Sequence, residues 1–210
     1  MRIAYDWGML IVGLTGNIAA GKSAVAAQLV ALGAHLIDAD LLAREAVAPG
    51  SPALAAITAR WGPETLNANG TLDRAALRRI VFADPAERAA LDAIVHPEVA
   101  RRRATAVAVA EASGAQIVIC DIPLLFEAGL EDTVDRVILV EAPVAIRRER
   151  LVRDRGLSAA EADAMIAAQM PSDQKRSRSD HVLVNASTRE ALTAQVETLW
   201  HALADAAARA

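Results

Sequence analysis

Apolar positions along this chain fall into short runs separated by stretches with helical period. Leu10-Ile-Val-Gly-Leu-Thr15 is an apolar run stopped by Gly16, and over 22–32 the apolar residues recur at helical spacing until Gly33. This predicts a strand, a glycine loop and a helix. Residues 34–37, closed by Asp38-Ala39-Asp40, predict a second strand. Residues 116–120 and 136–140 predict two further buried strands, and 182–184 a weaker fifth. Helical patterns lie between them, the longest over 97–112 and 188–207. Such alternation calls for an α/β fold, a five-stranded parallel sheet covered by helices on both faces.

About 75 residues separate the second and third predicted strands, far more than one crossover helix needs. They hold short helical stretches punctuated by Pro49-Gly50, Trp61-Gly62-Pro63 and Asp84-Pro85. The reading is one domain over 9–210 with a helical subdomain inserted at about 49–96, preceded by an extension over 1–8. A second non-sheet stretch, 143–179, carries an Arg-rich helix, a break at Gly156-Leu157-Ser158 and a second helix to Gln169. Its placement predicts a lid.

Composition narrows the function classes. Of 210 residues 49 are alanine and six aromatic, an excess that favours helix. Trp61, Phe82 and Trp200 read as core fillers, since no basic residues interleave with them as base stacking would need. A net charge of −4 gives no global positive field for nucleic acid or an anionic membrane. The first apolar run is too short for a signal-peptide core or a membrane span, so the expected location is cytoplasmic. Cys120 is the single cysteine, which excludes a disulfide framework or a Cys-rich zinc site, and it reads as a small buried hydrophobe.

The candidate chemistry begins at Gly16-Asn-Ile-Ala-Ala-Gly21-Lys22-Ser23, which satisfies G-x-x-x-x-G-K-[ST] in a strand-loop-helix context. Backbone N–H groups of such a loop cradle phosphates at a helix N-terminus. Lys22 would bridge the β and γ phosphates, and Ser23 would offer its hydroxyl to Mg²⁺. A shuffled chain of this composition would contain the pattern in roughly 4 of 10,000 cases. The loop alone does not separate kinases from nucleotide-dependent switches.

Acidic residues bear on that choice. Asp38 and Asp40 leave the second strand at its carboxyl end, where a carboxylate can accept the proton of an attacking hydroxyl. The same residues can cap the next helix, so two roles are open: Asp40 as base, with Asp38 as structural or metal-water partner, or capping. Ile117-Val-Ile-Cys-Asp121 has the form of an acidic strand that positions Mg²⁺, and equally of a strand ending in a cap. Arg147, Arg148, Arg150, Arg153 and Arg155 crowd nine residues, with Arg150 and Arg153 on one helical face. Beside a triphosphate they would neutralise developing charge; elsewhere they would be solvated surface. Arg101-Arg102-Arg103 reads as exposed surface and His96-Pro97 as a turn before a helix.

From Leu10 to Trp200 the chain resembles the dephospho-coenzyme A kinase family. The matching pieces are Gly13-Leu-Thr-Gly16 with the loop to Ser23, Leu36-Ile-Asp-Ala-Asp40 with Ala43-Arg44, Gly70-Thr-Leu-Asp73, and Val81-Phe82. After these come His96-Pro97, Pro123-Leu-Leu-Phe-Glu127, Arg150 with Arg153-Asp154, Gln169, and Lys175 leading to Val184-Asn185. The resemblance implies a phosphate-loop fold with a substrate-binding helical insertion and a lid. It implies ATP-dependent phosphorylation of the ribose 3′-hydroxyl of dephospho-coenzyme A, with Mg²⁺. By position it places Asp40 as the base, with Lys22 and Arg150 as its catalytic companions. Gly16 and Ala19, Ala20, Gly21, Lys22, Ser23 and Ala24 would lie around the ATP phosphates, with Arg153 also on the nucleotide and Asn185 at the adenine edge. His96, Leu124 and Glu127 would line the acceptor cleft; the expected metal-facing residues are Ser23, from the loop pattern, and Asp121, from the form of its strand. Asn17, Ala19 and Ala20 stand where the family more usually has Gly, Gly and Ser; alanine adds a methyl yet keeps its N–H. The expected partners are ATP and dephospho-coenzyme A, with no nucleic acid and no membrane, on a monomer or weak homo-oligomer. Two other readings stay open: a kinase of a different hydroxyl acceptor, and a nucleotide switch that phosphorylates no small molecule.

Overall fold

The computed structural model describes residues 8–209, without the side chains of Phe82 and Ala83. The core role expected of Phe82 and the extension before Gly8 therefore lie outside the described residues. In chain order the elements are β1 (Leu10–Gly16), α1 (Lys22–Ala31), β2 (His35–Asp38), α2 (Ala39–Ala46), α3 (Pro52–Trp61), α4 (Arg74–Ala83) and α5 (Pro85–Ala112). Then follow β3 (Ile117–Asp121), β4 (Arg136–Glu141), α6 (Val144–Arg155), α7 (Ala159–Ala167), α8 (Ser172–Arg176), β5 (His181–Val184) and α9 (Arg189–Ala207).

The strands form one sheet in the order β2-β3-β1-β4-β5. β1 pairs in parallel with β3, Leu10 opposite Ile117 and Leu14 opposite Asp121, and with β4, Val12 opposite Arg136 and Gly16 opposite Val140. All seven residues of β1 are buried, which explains its unbroken apolar run: a central parallel strand has no solvent face. Its neighbours β3 and β4 share the trait, with Val118, Ile119, Val137, Ile138, Leu139 and Val140 all fully enclosed. α1 and α9 cover one side through Val25, Leu29, Val196, Leu199 and Leu203, with Trp200 packed partly buried against them. Gly13 makes room for a neighbour. A Cβ there would stand 2.5 Å from Leu125 Cδ1, and Leu125 is fully buried.

The chain divides into two compact units, one of residues 8–37 and 109–209 and the other of 38–108. The second has its own core of Val47, Ala53, Ile57, Trp61 and Leu77, with Leu91, Ile94 and Val95 packed against it. Trp61 is a core residue as its sequence context predicts, and its indole N–H donates to Glu87 Oε2 at 2.6 Å. Ser51 caps α3 by accepting from the Leu54 N–H at 3.1 Å, ahead of Pro52 in the first turn.

One local expectation changes and one open alternative closes. His96-Pro97 is not a turn before a helix: α5 runs continuously from Pro85 to Ala112 with Pro97 inside it. An interior proline loses one backbone hydrogen bond and costs about 3 kcal/mol. Here burial on both sides of it holds the helix, with Leu91, Ile94 and Val95 before and Val107 and Ala110 after. The capping left open for Asp38 and Asp40 falls to Asp38, and α2 begins at Ala39: Asp38 Oδ1 accepts from the N–H groups of Asp40 and Leu41 at 2.8 and 3.1 Å. The break between α6 and α7 falls where the sequence places it. Gly156 adopts φ 66° past the end of α6, and Ser158 with Glu161 forms a reciprocal cap at the start of α7.

Candidate active site at the phosphate loop

The loop between β1 and α1 leaves the carboxyl end of the central strand, and α1 starts directly behind it at Lys22. The first amides of an α-helix lack the usual i−4 partner, and the helix dipole favours an anion in front of them. No side chain caps this helix: its N-cap is Gly21, at φ 99°. A Cβ at Gly21 would collide with the Asn185 amide, so glycine is required here by both backbone and neighbour. The loop turns through Ala19 at φ 59°, the one described non-glycine residue with positive φ. The Ala20 N–H donates to Asn17 O within the loop, and the Ala24 N–H, in the first turn of α1, to Gly21 O, each at 3.0 Å.

Carbonyls on the far side of the loop are pinned. Arg150, from α6, donates through Nη1 to Ala19 O at 3.1 Å and through Nη2 to Asn185 O at 3.3 Å. Asn185 follows β5 and donates its side-chain amide to Ala20 O at 2.8 Å. Arg150 and Asn185 thus meet at the loop, on its carbonyl side. Lys22 extends to Asp121 at the end of β3 and forms an ion pair with it; both side chains are largely enclosed. The register that sets Leu14 opposite Asp121 puts this carboxylate beside the strand from which the loop departs. Ser23, next along α1, is exposed.

Arginines at equal spacing have different fates. Arg147 is buried at 3% exposure, its Nε donating to Ala142 O at 3.1 Å, and burial pushes its guanidinium below the usual arginine range against the opposing pull of Glu141. Arg153 is exposed and pairs with Asp154 at 2.7 Å and Glu149 at 3.3 Å, whereas Arg150 reaches the loop. The hydrogen bond from Arg153 in turn holds the Asp154 carboxyl below its ordinary value. Asp40 is exposed in the first turn of α2, and His96 is exposed on α5 with its Nε2 3.7 Å from Asp92. Leu124 is 49% exposed in the segment after β3. Glu127, in the same segment, is engaged: its Oε1 lies 2.7 Å from Lys175 Nζ and accepts from the Met170 N–H at 3.3 Å.

A family model described as dephospho-CoA kinase matches residues 10–190. The chain belongs to the dephospho-CoA kinase family. It is 50% identical over 191 residues to the dephospho-CoA kinase of Anaeromyxobacter dehalogenans, covering 91% of this chain and 90% of that one. With the dephospho-CoA kinase of Thermobifida fusca it shares 47% over 195 residues, 93% of this chain and 96% of the other. Among solved structures, TT1252 from Thermus thermophilus superposes with a TM-score of 0.82 at 39% identity, over 92% of this chain and 97% of that one. The dephospho-CoA kinase from Campylobacter jejuni shares the fold at a TM-score of 0.71 and 21% identity, over 93% and 98%. The phosphate-loop α/β fold is therefore that of the family.

Three residues at or near the loop escaped sequence reasoning as site components. Asn17 is buried and donates to Met170 O at 3.3 Å and Ser172 Oγ at 3.2 Å. Gln169 Oε1 accepts from the Ile18 N–H at 2.7 Å. Lys175 is fully buried on α8. A signal for the last was present: against 20 arginines the chain keeps two lysines, Lys22 and Lys175.

Proposed function

We propose that this chain is an ATP-dependent phosphotransferase that phosphorylates the ribose 3′-hydroxyl of dephospho-coenzyme A, giving coenzyme A and ADP. Family membership over 10–190 supplies the reaction, and the observation that carries its location is Lys22 on Asp121 at the mouth of a glycine-capped helix. Those backbone N–H groups of the loop from Gly16 and of the first turn of α1 that are not already bonded within the chain hold the triphosphate. Lys22 leaves Asp121 for the β and γ phosphates, which releases the carboxylate. Arg150 and Asn185, already bonded to the loop carbonyls, keep the N–H groups turned toward the anion. Asn185 also borders the adenine. Asp40 takes the proton of the acceptor hydroxyl, within hydrogen-bond reach of which a general base must stand. His96, Leu124 and Glu127 are the acceptor-binding residues, the insertion at about 49–96 serves as the acceptor subdomain, and 143–179 acts as the lid, with Arg153 on the nucleotide.

The Ser23 hydroxyl and the Asp121 carboxylate are hard oxygen donors that suit Mg²⁺. No group of three or more His, Cys, Asp or Glu placed to hold a metal ion occurs among the described residues, so the ion would depend on phosphate oxygens and water for its remaining ligands. When bound, Mg²⁺ neutralises triphosphate charge. The proposed partners are these two small molecules, on a cytoplasmic monomer or weak homo-oligomer; no described helix is long and apolar enough to cross a membrane. The test is incubation with ATP, Mg²⁺ and dephospho-coenzyme A followed by mass measurement of the acceptor. A gain of one phosphate supports the reading. An unmodified acceptor, with phosphate transferred instead to another alcohol or to water, refutes it.

A further inference from the structure

The outer limb of the phosphate loop is tied to the C-terminal part of the proposed lid, through residues to which the reaction as described gives no role. The Ile18 N–H donates to Gln169 Oε1 at 2.7 Å, and Asn17 Nδ2 donates to Met170 O at 3.3 Å and Ser172 Oγ at 3.2 Å. These bonds join residues more than 150 apart in sequence, so both strands of contact are tertiary. The segment is in turn fixed from its other side. The Met170 N–H donates to Glu127 Oε1 at 3.3 Å, and the same oxygen is the counter-charge of Lys175 Nζ at 2.7 Å. One turn on, Arg178 pairs with Glu131 and lies over the Phe126 ring, 4.8 Å from its centroid. Residues 169–178 are thus held between the loop and the stretch after β3.

Lys175 is the costly member of this set. Its side chain is fully buried, and its ammonium lies at ion-pair distance from Glu127 but off the axis of a good hydrogen bond. Removing a charge from water is repaid only in part by one partner, so such a group is a weak source of stability and a strong constraint on where its partner sits. Glu127 is the point at which that constraint passes to Met170, and Met170 and Gln169 pass it to Asn17 and Ile18. We propose that Lys175 is a positioning residue for the phosphate loop, acting through Glu127 and the 169–172 segment on the limb that leads into the phosphate-binding turn.

This rests on the reading of the loop as the ATP site, and the experiment separates the two. ATP binding is measured by titration calorimetry without acceptor for the unaltered protein, Lys175→Met, Gln169→Ala, the double variant and Lys22→Ala. Lys175→Met keeps the buried stem and removes the charge; it should remain folded with little change in melting temperature while ATP affinity falls about 10-fold, or about 1.4 kcal/mol. Gln169→Ala, a truncation at the segment surface, should lose a similar factor. The double variant should lose much less than the product of the two, because both act on one network. A purely structural lysine would lower the melting temperature and leave ATP affinity intact, and that result overturns the proposal, as does a multiplicative double variant. If Lys175→Met does not fold, Gln169→Ala alone decides, and undiminished ATP affinity there overturns it. ATP binding that also survives Lys22→Ala would instead displace the ATP site itself.

Discussion

Ala19→Gly should stabilise the protein, the reverse of what this substitution does almost everywhere else. Ala19 sits at φ 59°, and its carbonyl is held by Arg150 at 3.1 Å, so the peptide cannot relax to negative φ without breaking that bond. A left-handed conformation costs an L-residue with a Cβ roughly 1–2 kcal/mol, which glycine does not incur. Glycine gains about 0.4–1 kcal/mol of unfolded-state entropy in opposition. The net is stabilisation of about 0.5–1 kcal/mol, or an increase of about 1–4 °C in melting temperature for a chain of this size. At a position with ordinary negative φ the same exchange would be destabilising, so the sign is the test. Chemical denaturation followed by far-UV circular dichroism reads it, with ATP affinity measured in parallel and unchanged because the N–H is retained. The companion is Gly21→Ala, where φ is 99° and the new Cβ meets the Asn185 amide. Losing the Asn185 bond to Ala20 O together with the backbone strain should cost about 2–4 kcal/mol and weaken ATP binding. A midpoint for Ala19→Gly lower than that of the parent protein would refute the strain argument.

Asp40→Asn should lower kcat by two orders of magnitude or more at unchanged ATP affinity, whereas Asp38→Ala, which removes the α2 cap, should cost about 1 kcal/mol of stability; steady-state kinetics and denaturant melts distinguish the pair. Arg150→Met should raise the KM for ATP through the freed carbonyls of Ala19 and Asn185, and an unchanged KM would remove Arg150 from the nucleotide site. His181 titrates below its ordinary 6.5, because burial disfavours the imidazolium more than Asp180 favours it, with Arg136 adding to the fall. The unfolded chain therefore takes up the proton first, and stability should decline as pH drops below 6.5. Melting temperatures at pH 7.5 and 5.5 should differ by less in His181→Gln than in the parent.

Elements whose burial is uniform were legible from the chain. β1, β3 and β4 are enclosed on both faces, so their apolar runs carry no competing period. The phosphate loop was legible because backbone geometry and one cation fix its residue types at fixed spacing. The residues that were not legible depend on tertiary partners. Arg147, Arg150 and Arg153 recur three apart, yet one is buried, one holds the loop and one pairs with Asp154 and Glu149, since each meets different neighbours along α6. Pro97 reads as a break because local rules weigh its missing N–H and not the burial that flanks it. Asp38 and Asp40 are equivalent in composition, and only the two amide bonds at Asp38 Oδ1 tell cap from free carboxylate. Ser172 carries no signal of its own and Gln169 only its place in the family resemblance, without a role, because their partners at Asn17 and Ile18 are about 150 residues away.

The space that Gly13 yields to Leu125 ties two distant codons together. A methyl at position 13 would need the fully buried Leu125 side chain to shift, with Val134 Cγ2 also only 3.1 Å away. A larger residue at position 13 should therefore be tolerated better when residue 125 is smaller than when it is leucine. Mutational order, and not merely mutational content, is constrained at the centre of the sheet.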